Sequence, residues 1–276
     1  MKKRVLVLIL SLSLFLSSCG SGGTSGSSGN TAEGGATADH VMDWRDVALA
    51  ARMAQLTKIT DRDIMLRDVW ELQELDLSTS GGNSKITDIS ALGELTNLTK
   101  LHLYGNDISD ISALGKLTNL HTLHLSDNDI SDISALSGLT NLRSLHLSGN
   151  NNISDISVLS GLTGLKNLSL SGDNISDISV LSGLTSLESL SLSSSNISDI
   201  SVLSGLTNLK SLKLGGCNIS DISALGSLTN LERLYLRNNN ISDISVLYGL
   251  PSLWDVSLKD NNIPDYKQIE EYFGDR

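Results

Sequence analysis

The chain has 276 residues, with 31 acidic against 20 basic side chains and a net charge of −11. That excess of negative charge makes nucleic acid and anionic lipid headgroups poor partners. Only two cysteines occur, Cys19 and Cys217, so no disulfide framework is available and an apolar core must hold the fold.

Residues 1–18 have the build of a secretory signal. Lys2, Lys3 and Arg4 form a basic start, and an apolar stretch from Val5 to Leu16 follows that is short for a membrane span. Leu16-Ser17-Ser18-Cys19 then resembles the lipobox of bacterial lipoproteins. The resemblance implies cleavage before Cys19 and attachment of a diacylglycerol to its sulfur; an ordinary signal peptide beside a chance cysteine is the alternative. Cleavage there leaves 17 basic against 31 acidic groups, a net charge near −14. Residues 19–38 are rich in glycine and serine, with nothing to anchor a core, and read as a flexible linker. A Gly-rich coil of that length has a typical reach of about 24 Å.

Residues 39–71 read as a helical N-terminal cap. Val47, Leu49, Ala50, Met53 and Leu56 supply an apolar helix face, and residues 60–63 (Thr-Asp-Arg-Asp) form a helix-start signal ahead of Ile64, Val69 and Trp70.

Residues 72–263 carry a repeat. Leu-Thr-Asn-Leu at 95–98 recurs 22 residues later from Leu117, and the same step, with one extra residue once, reaches Leu139, Leu162, Leu184, Leu206, Leu228 and Leu250. A period in this range specifies a solenoid, each unit burying its apolar face only against its neighbours. In the unit starting at Leu117, Leu123-His124-Leu125 alternates as a short half-buried strand, with Thr122, His124 and Ser126 facing out. Asn128 follows at the bend, where a buried amide can satisfy backbone groups, and Ile130, Ile133 and Leu136 return along the opposite side. Two insertions, in residues 78–84 and among Asn150, Asn151 and Asn152, fall just after strands, where they bulge without disturbing the core.

The pattern L-x-x-L-x-L-x-x-N-x-I-x-D-I-x-x-L resembles the internalin-like subclass of bacterial leucine-rich repeats. The resemblance implies an α/β solenoid: a right-handed coil with a parallel concave β-sheet, convex 3₁₀ turns, a helical N-terminal cap and a short C-terminal helix. Residues 264–276 would supply that last element, laying Tyr266, Ile269 and Phe273 over the final repeat. The immunoglobulin-like domain and wall-sorting tail common among internalins are not seen in the sequence, so their role in invasion is not carried over.

Several repeated polar residues could carry chemistry. The aspartates at 88, 110, 132, 155, 177, 199, 221 and 243 form a convex column. They could gather calcium, but each precedes Ile-Ser at the start of a turn, where it would cap free N–H groups. His102, His124 and His146 stack on adjacent strands, which suits a duplicated surface residue better than a metal centre, because a straight row does not bring three ligands to one ion. Asn106, Asn128, Asn150, Asp173, Cys217, Asn239 and Asn261 share the bend position and form a structural ladder; cysteine in that slot resembles a known variant of the family's asparagine ladder. No Gly-x-Ser-x-Gly, His-Glu-x-x-His, phosphate-loop or Cys-x-x-Cys pattern occurs, so neither an enzyme nor a cofactor or metal is expected.

The concave outward positions are where a partner would dock. Lys100, His102, Tyr104, His124 and His146 mark one end, serines fill the centre, and Lys213, Arg233, Tyr235, Arg237 and Lys259 mark the other. Tyrosine and arginine carry disproportionate interface energy. The expectation is therefore a monomeric, extracytoplasmic lipoprotein, held on a bacterial inner or outer membrane through Cys19, whose concave face binds a protein in adhesion or envelope recognition. A glycan, small-ligand or metal binder using the histidine and serine columns, or an envelope spacer, are the alternatives.

Overall fold

The computed structural model describes residues 39–80, 84–171, 174–193 and 196–264; Cys19, the linker, Asp173 and the expected C-terminal helix lie outside the described residues. Nine strands, β1 (Glu74–Asp76), β2 (Lys100–His102), β3 (Thr122–His124), β4 (Ser144–His146), β5 (Asn167–Ser171), β6 (Ser189–Ser193), β7 (Ser211–Lys213), β8 (Arg233–Tyr235) and β9 (Asp255–Ser257), form one parallel sheet in sequence order. The register follows the sequence repeat: Leu101 pairs with Leu123, Leu123 with Leu145, and Leu145 with Leu168 across the single-residue insertion.

The leucine spacing explains this geometry. Successive strand residues point to opposite faces, so Leu123 and Leu125 enter the core while Thr122 and His124 stand outside. The chain then turns through a left-handed residue: glycine at 105, 149 and 216, aspartate or asparagine at 127, 238 and 260. Glycine has no penalty there, and Asn and Asp tolerate the conformation better than other side chains. On the far side, 3₁₀ turns such as Ser112–Lys116, Ser134–Gly138 and Ser223–Ser227 return the chain. Leu114 N donates to Ile111 O (2.9 Å), Leu117 N to Leu114 O (2.9 Å) and Leu120 N to Leu117 O (3.0 Å), so every third residue is apolar and points inward. The leucine and isoleucine columns merge into one continuous core. In β9, by contrast, Val256 is only half-buried, because no described repeat follows to cover it.

The N-terminal end is closed by α1 (Val47–Thr57) and a single helical turn, α2 (Leu66–Val69). Leu49 and Met53, four residues apart, enter the core. Val47 does not: it lies two residues before Leu49, about 200° round the helix, and is 83% exposed. Leu56 shares the inner face, but it sits in the last turn and stays 42% exposed. The second helix also starts later than its Thr-Asp-Arg-Asp signal suggests. Asp68, not the earlier aspartates, reaches back to Met65 N (2.8 Å) and closes the turn, leaving Trp70 half-exposed.

Asp46, the N-cap of α1, and Arg52 within the helix fasten this cap to the first repeat. Asp46 accepts from Leu49 N (2.9 Å), Thr87 N (2.7 Å), Thr87 Oγ1 (2.9 Å) and Asp88 N (3.1 Å). Burial alone would raise its pKa, but these donors outweigh burial and bring the carboxyl down to about 2. Arg52 donates to the carbonyls of Leu77 and Ser84.

Candidate functional site

The outer face of the sheet carries rows set by strand register. One row runs through Glu74, Lys100, Thr122, Ser144, Asn167, Ser189, Ser211, Arg233 and Asp255; a second runs through Asp76, the three histidines, Ser169, Ser191, Lys213, Tyr235 and Ser257. Bonds beyond the strand ends, such as Thr79 N to Tyr104 O and Asn238 N to Lys259 O, extend the pairing to a third row that includes Tyr104, Ser126, Ser148, Arg237 and Lys259. Two of these positions do not face solvent. Ser126 and Ser211 are buried, because a one-carbon side chain is overshadowed when its row neighbour is Tyr104 or Arg233.

At the β1–β4 end the rings pack against each other. The His102 and His124 centroids lie 5.9 Å apart, edge to face, and those of His124 and His146 lie 4.9 Å apart. The Tyr104 ring stands 5.5 Å from His124. Ser144 Oγ lies 3.0 Å from His146 Nε2. Burial lowers the pKa of His124 and His146, and neighbouring imidazoles add to the effect: His146 and His102 on His124, His102 on His146. Asp76 and Asp127 act the other way on His124. Lys100, in the same region, is paired with Glu74 at 2.5 Å. Among the described residues, no three His, Cys, Asp or Glu side chains converge where a metal ion could sit.

The middle of the face is polar and small. Ser148 Oγ and Ser169 Oγ share a 2.6 Å bond, and Ser171 Oγ accepts from Gly149 N at 2.8 Å.

At the β7–β9 end the chemistry changes. Tyr235 sits at the centre of β8's outward face, with Arg233 before it and Arg237 after it along the chain. Lys213 Nζ stands 5.3 Å from the centre of the Tyr235 ring, within cation–π range. The Tyr235 hydroxyl donates to Asp255, which raises its pKa above the ordinary value. Lys213, Arg237 and Lys259 are exposed and Arg233 is half-exposed, and none of the four is ion-paired among the described residues.

Beneath the face, the ladder amides tie repeats together. Asn128 Oδ1 accepts from Ile108 N (3.0 Å), and its Nδ2 donates to Leu103 O and Leu125 O (both 3.0 Å). Asn106, Asn150, Asn239 and Asn261 repeat this three-way arrangement in their own units. Cys217 stands in the same buried slot, with its Sγ 3.8 Å from Gly215 O. On the opposite side, each column aspartate takes a backbone N–H from the serine two residues on, as in Asp132 with Ser134 N (2.8 Å). From Asp110 to Asp243 those bonds lower the carboxyl pKa.

Two arrangements were not foreseen from the sequence. Asn97, Asn119, Asn141, Asn208 and Asn230, the asparagines of the Leu-Thr-Asn-Leu signature, form a second ladder by donating to carbonyls one unit back. Their recurrence was the available signal. Glu188 is clamped between Lys166 (2.8 Å) and Lys210 (3.0 Å), whose hydrogen bonds bring its carboxyl down to about 2. That trio needs the repeat register to be seen, since its members lie 22 residues apart.

The repeats match a family model described as leucine-rich repeats (2 copies) in overlapping windows: 70–116, 96–138, 118–161, 140–183, 163–205, 185–227 and 207–251. The internalin inlF of Listeria monocytogenes shares 32% identity, with 82% of this chain and 73% of that chain covered and a TM-score of 0.68. The internalin inlC2 of the same organism shares 33% identity, with 78% and 94% covered and a TM-score of 0.71. A leucine-rich-repeat protein of Leptospira interrogans shares 27% identity over 76% of this chain and 55% of its own, with a TM-score of 0.67. No curated protein matches the chain. By its repeats, sheet and turns alike, the chain belongs to the leucine-rich-repeat family, as an internalin-like bacterial protein with a domain for protein–protein interaction.

Proposed function

We propose that this protein is an extracytoplasmic recognition protein, tethered to a bacterial membrane through a lipid on Cys19, whose sheet face binds a protein partner. The observation that carries the binding face is the uninterrupted nine-strand sheet, whose outward rows present rings at one end and, at the other, cations with no ion pair among the described residues. On the 3₁₀ side, in contrast, the column aspartates are committed to capping their own turns. The tether rests on the sequence, on Leu16-Ser17-Ser18-Cys19 and the Gly/Ser-rich stretch after it. Buried acyl chains stabilise membrane attachment by about 0.8 kcal/mol per CH₂.

Metabolic labelling with a fatty-acid analogue tests the tether: the wild type takes up label and Cys19→Ser does not, whereas an unlabelled wild type rules out the lipoprotein. Crosslinked capture from envelope extracts tests the face. Alanine replacements of outward sheet residues abolish a captured species that the 3₁₀-side variant Ser182→Ala retains. Equal capture by both removes the sheet face from the binding role.

A further inference from the structure

We infer that the β7–β9 end of the face binds an extended acidic peptide segment of the form acidic-x-apolar-x-acidic. This rests on the reading of the sheet face as the docking surface and gives one end of it a chemistry.

Charge comes first. Seven cations among the described residues are already ion-paired, four of them in the repeats: Lys85 with Asp107, Lys100 with Glu74, and Lys166 and Lys210 with Glu188. Arg45, Arg62 and Arg67 are paired with aspartates near the N-terminal cap. Lys213, Arg233, Arg237 and Lys259 have no such partner among the described residues, although the chain carries a surplus of acids. Four unpaired cations on one face of a strongly acidic protein make a local positive field that attracts anionic groups.

Spacing gives the form of the ligand. Arg233, Tyr235 and Arg237 alternate along one chain direction, so successive outward groups stand about 6.6 Å apart at ~3.3 Å per residue. An extended peptide has the same same-face spacing. Laid along β8, it places carboxylates over Arg233 and Arg237 and an apolar side chain over the Tyr235 ring between them. Lys213 on β7 and Lys259 beyond β9 flank that track, one strand spacing (~4.8 Å) to either side. Arginine favours carboxylates through its planar fork of donors.

Asp255 separates a peptide from other polyanions. It lies beside Arg233 in the same row and holds the Tyr235 hydroxyl. A carboxylate at that spot repels a chain of phosphates, whereas a peptide can set a backbone N–H against it.

The test uses the full chain and two labelled peptides of one composition. Gly-Glu-Ser-Leu-Ser-Glu-Gly has the proposed spacing, and Gly-Ser-Leu-Ser-Glu-Glu-Gly has its carboxylates adjacent. Binding is followed by fluorescence anisotropy at 20 and 150 mM salt. The spaced peptide is expected to bind at least fivefold tighter than its isomer and to weaken with salt. The combined variant Lys213→Ala, Arg237→Ala, Lys259→Ala, whose exposed side chains leave thermal unfolding unchanged, should lose at least tenfold. Lys116→Ala, on a 3₁₀ turn, should lose nothing. Equal binding of the two peptides, equal binding by the combined variant, or tighter binding of an oligonucleotide of matched charge each overturns the inference. So does an envelope partner that ignores the combined variant but is lost on replacing His124 and His146, a result that leaves the sheet-face reading intact.

Discussion

The β2–β4 and β7–β9 regions share one backbone and present opposite chemistries. Both are parallel strands in the same register, and each rests on an asparagine, Asn128 or Asn239, making the same three bonds. Outside, they part. Imidazole rings stack 4.9–5.9 Å apart, and burial with neighbouring rings disfavours the charged forms of His124 and His146. Cations around Tyr235 repel one another and stay solvated. Inward residues of a solenoid fix the coil, so outward residues can change without disturbing it. Similarity of repeats therefore says little about what two such proteins bind.

The largest expected effect comes from the repeat between the two regions. Deleting residues 184–205 removes one unit with β6, and should leave a folded coil in which the two ends approach by about one strand spacing, because each unit contacts only its neighbours. Deleting residues 184–194 removes half a unit and breaks every downstream leucine column, so cooperative folding should be lost. Thermal melts followed by circular dichroism separate the outcomes. Similar midpoints for the two deletions contradict a modular coil.

A smaller effect tests whether the two backbones are energetically alike. Asn128→Ala leaves the Ile108 N–H and two carbonyls without their partner in a buried site, and should destabilise by about 3 kcal/mol. For a domain of this size that corresponds to a midpoint about 6–12 °C lower. Asn239→Ala should match it within about 1 kcal/mol, since its bonds are the same in kind. A much cheaper loss at 239 would show that Cys217, one unit before it, has already loosened that end. Denaturant midpoints for both variants decide the point.

Most of the coil was legible in the sequence, and the reason is physical. A solenoid repeats its local problem, so Leu123, Leu125, Asn128 and Ile130 specify strand, bend and return in every unit. The bonds within one unit were legible too, as with the column aspartates, whose serine partner lies two residues away. What escaped reading depended on cross-unit contacts or on the ends. The Lys166–Glu188–Lys210 clamp joins residues 22 apart, and the second asparagine ladder residues 23 apart, or 27 at its first rung. Burial of Ser126 and Ser211 follows from the size of a neighbour on another strand. In the cap, no repeat constrains the helices, so the apolar pattern overstated the buried face at Val47 and Leu56 and placed the second helix too early. At the face itself, the identity of the outward residues was plain, but not which cations were already paired: Lys100 is, and among the described residues Lys213 is not.

The smallest effect distinguishes the two ends by pH. His124 is faced by His102, His146, the Tyr104 ring, Asp76 and Asp127, and His146 by His102 and the Ser144 hydroxyl. Burial first, and imidazole neighbours second, hold both folded pKa values below the ordinary value of about 6.5. As pH falls, the unfolded chain therefore takes up protons before the folded one does. The stabilisation is whole above about pH 6.5 and is lost as pH drops through the folded values. Both rings are partly exposed, so the loss should stay below about 1 kcal/mol. Between pH 7 and 5, Asp46 and Glu188, with pKa values of about 2, do not titrate. The wild-type melting midpoint should fall across that interval by more than the midpoint of the double variant His124→Gln, His146→Gln. Peptide binding at the β8 end should hold nearly constant over the same interval. Identical pH slopes for wild type and double variant would mean that the stacked rings are not the titrating element, and that the two ends do not differ in the protonation chemistry assigned to them.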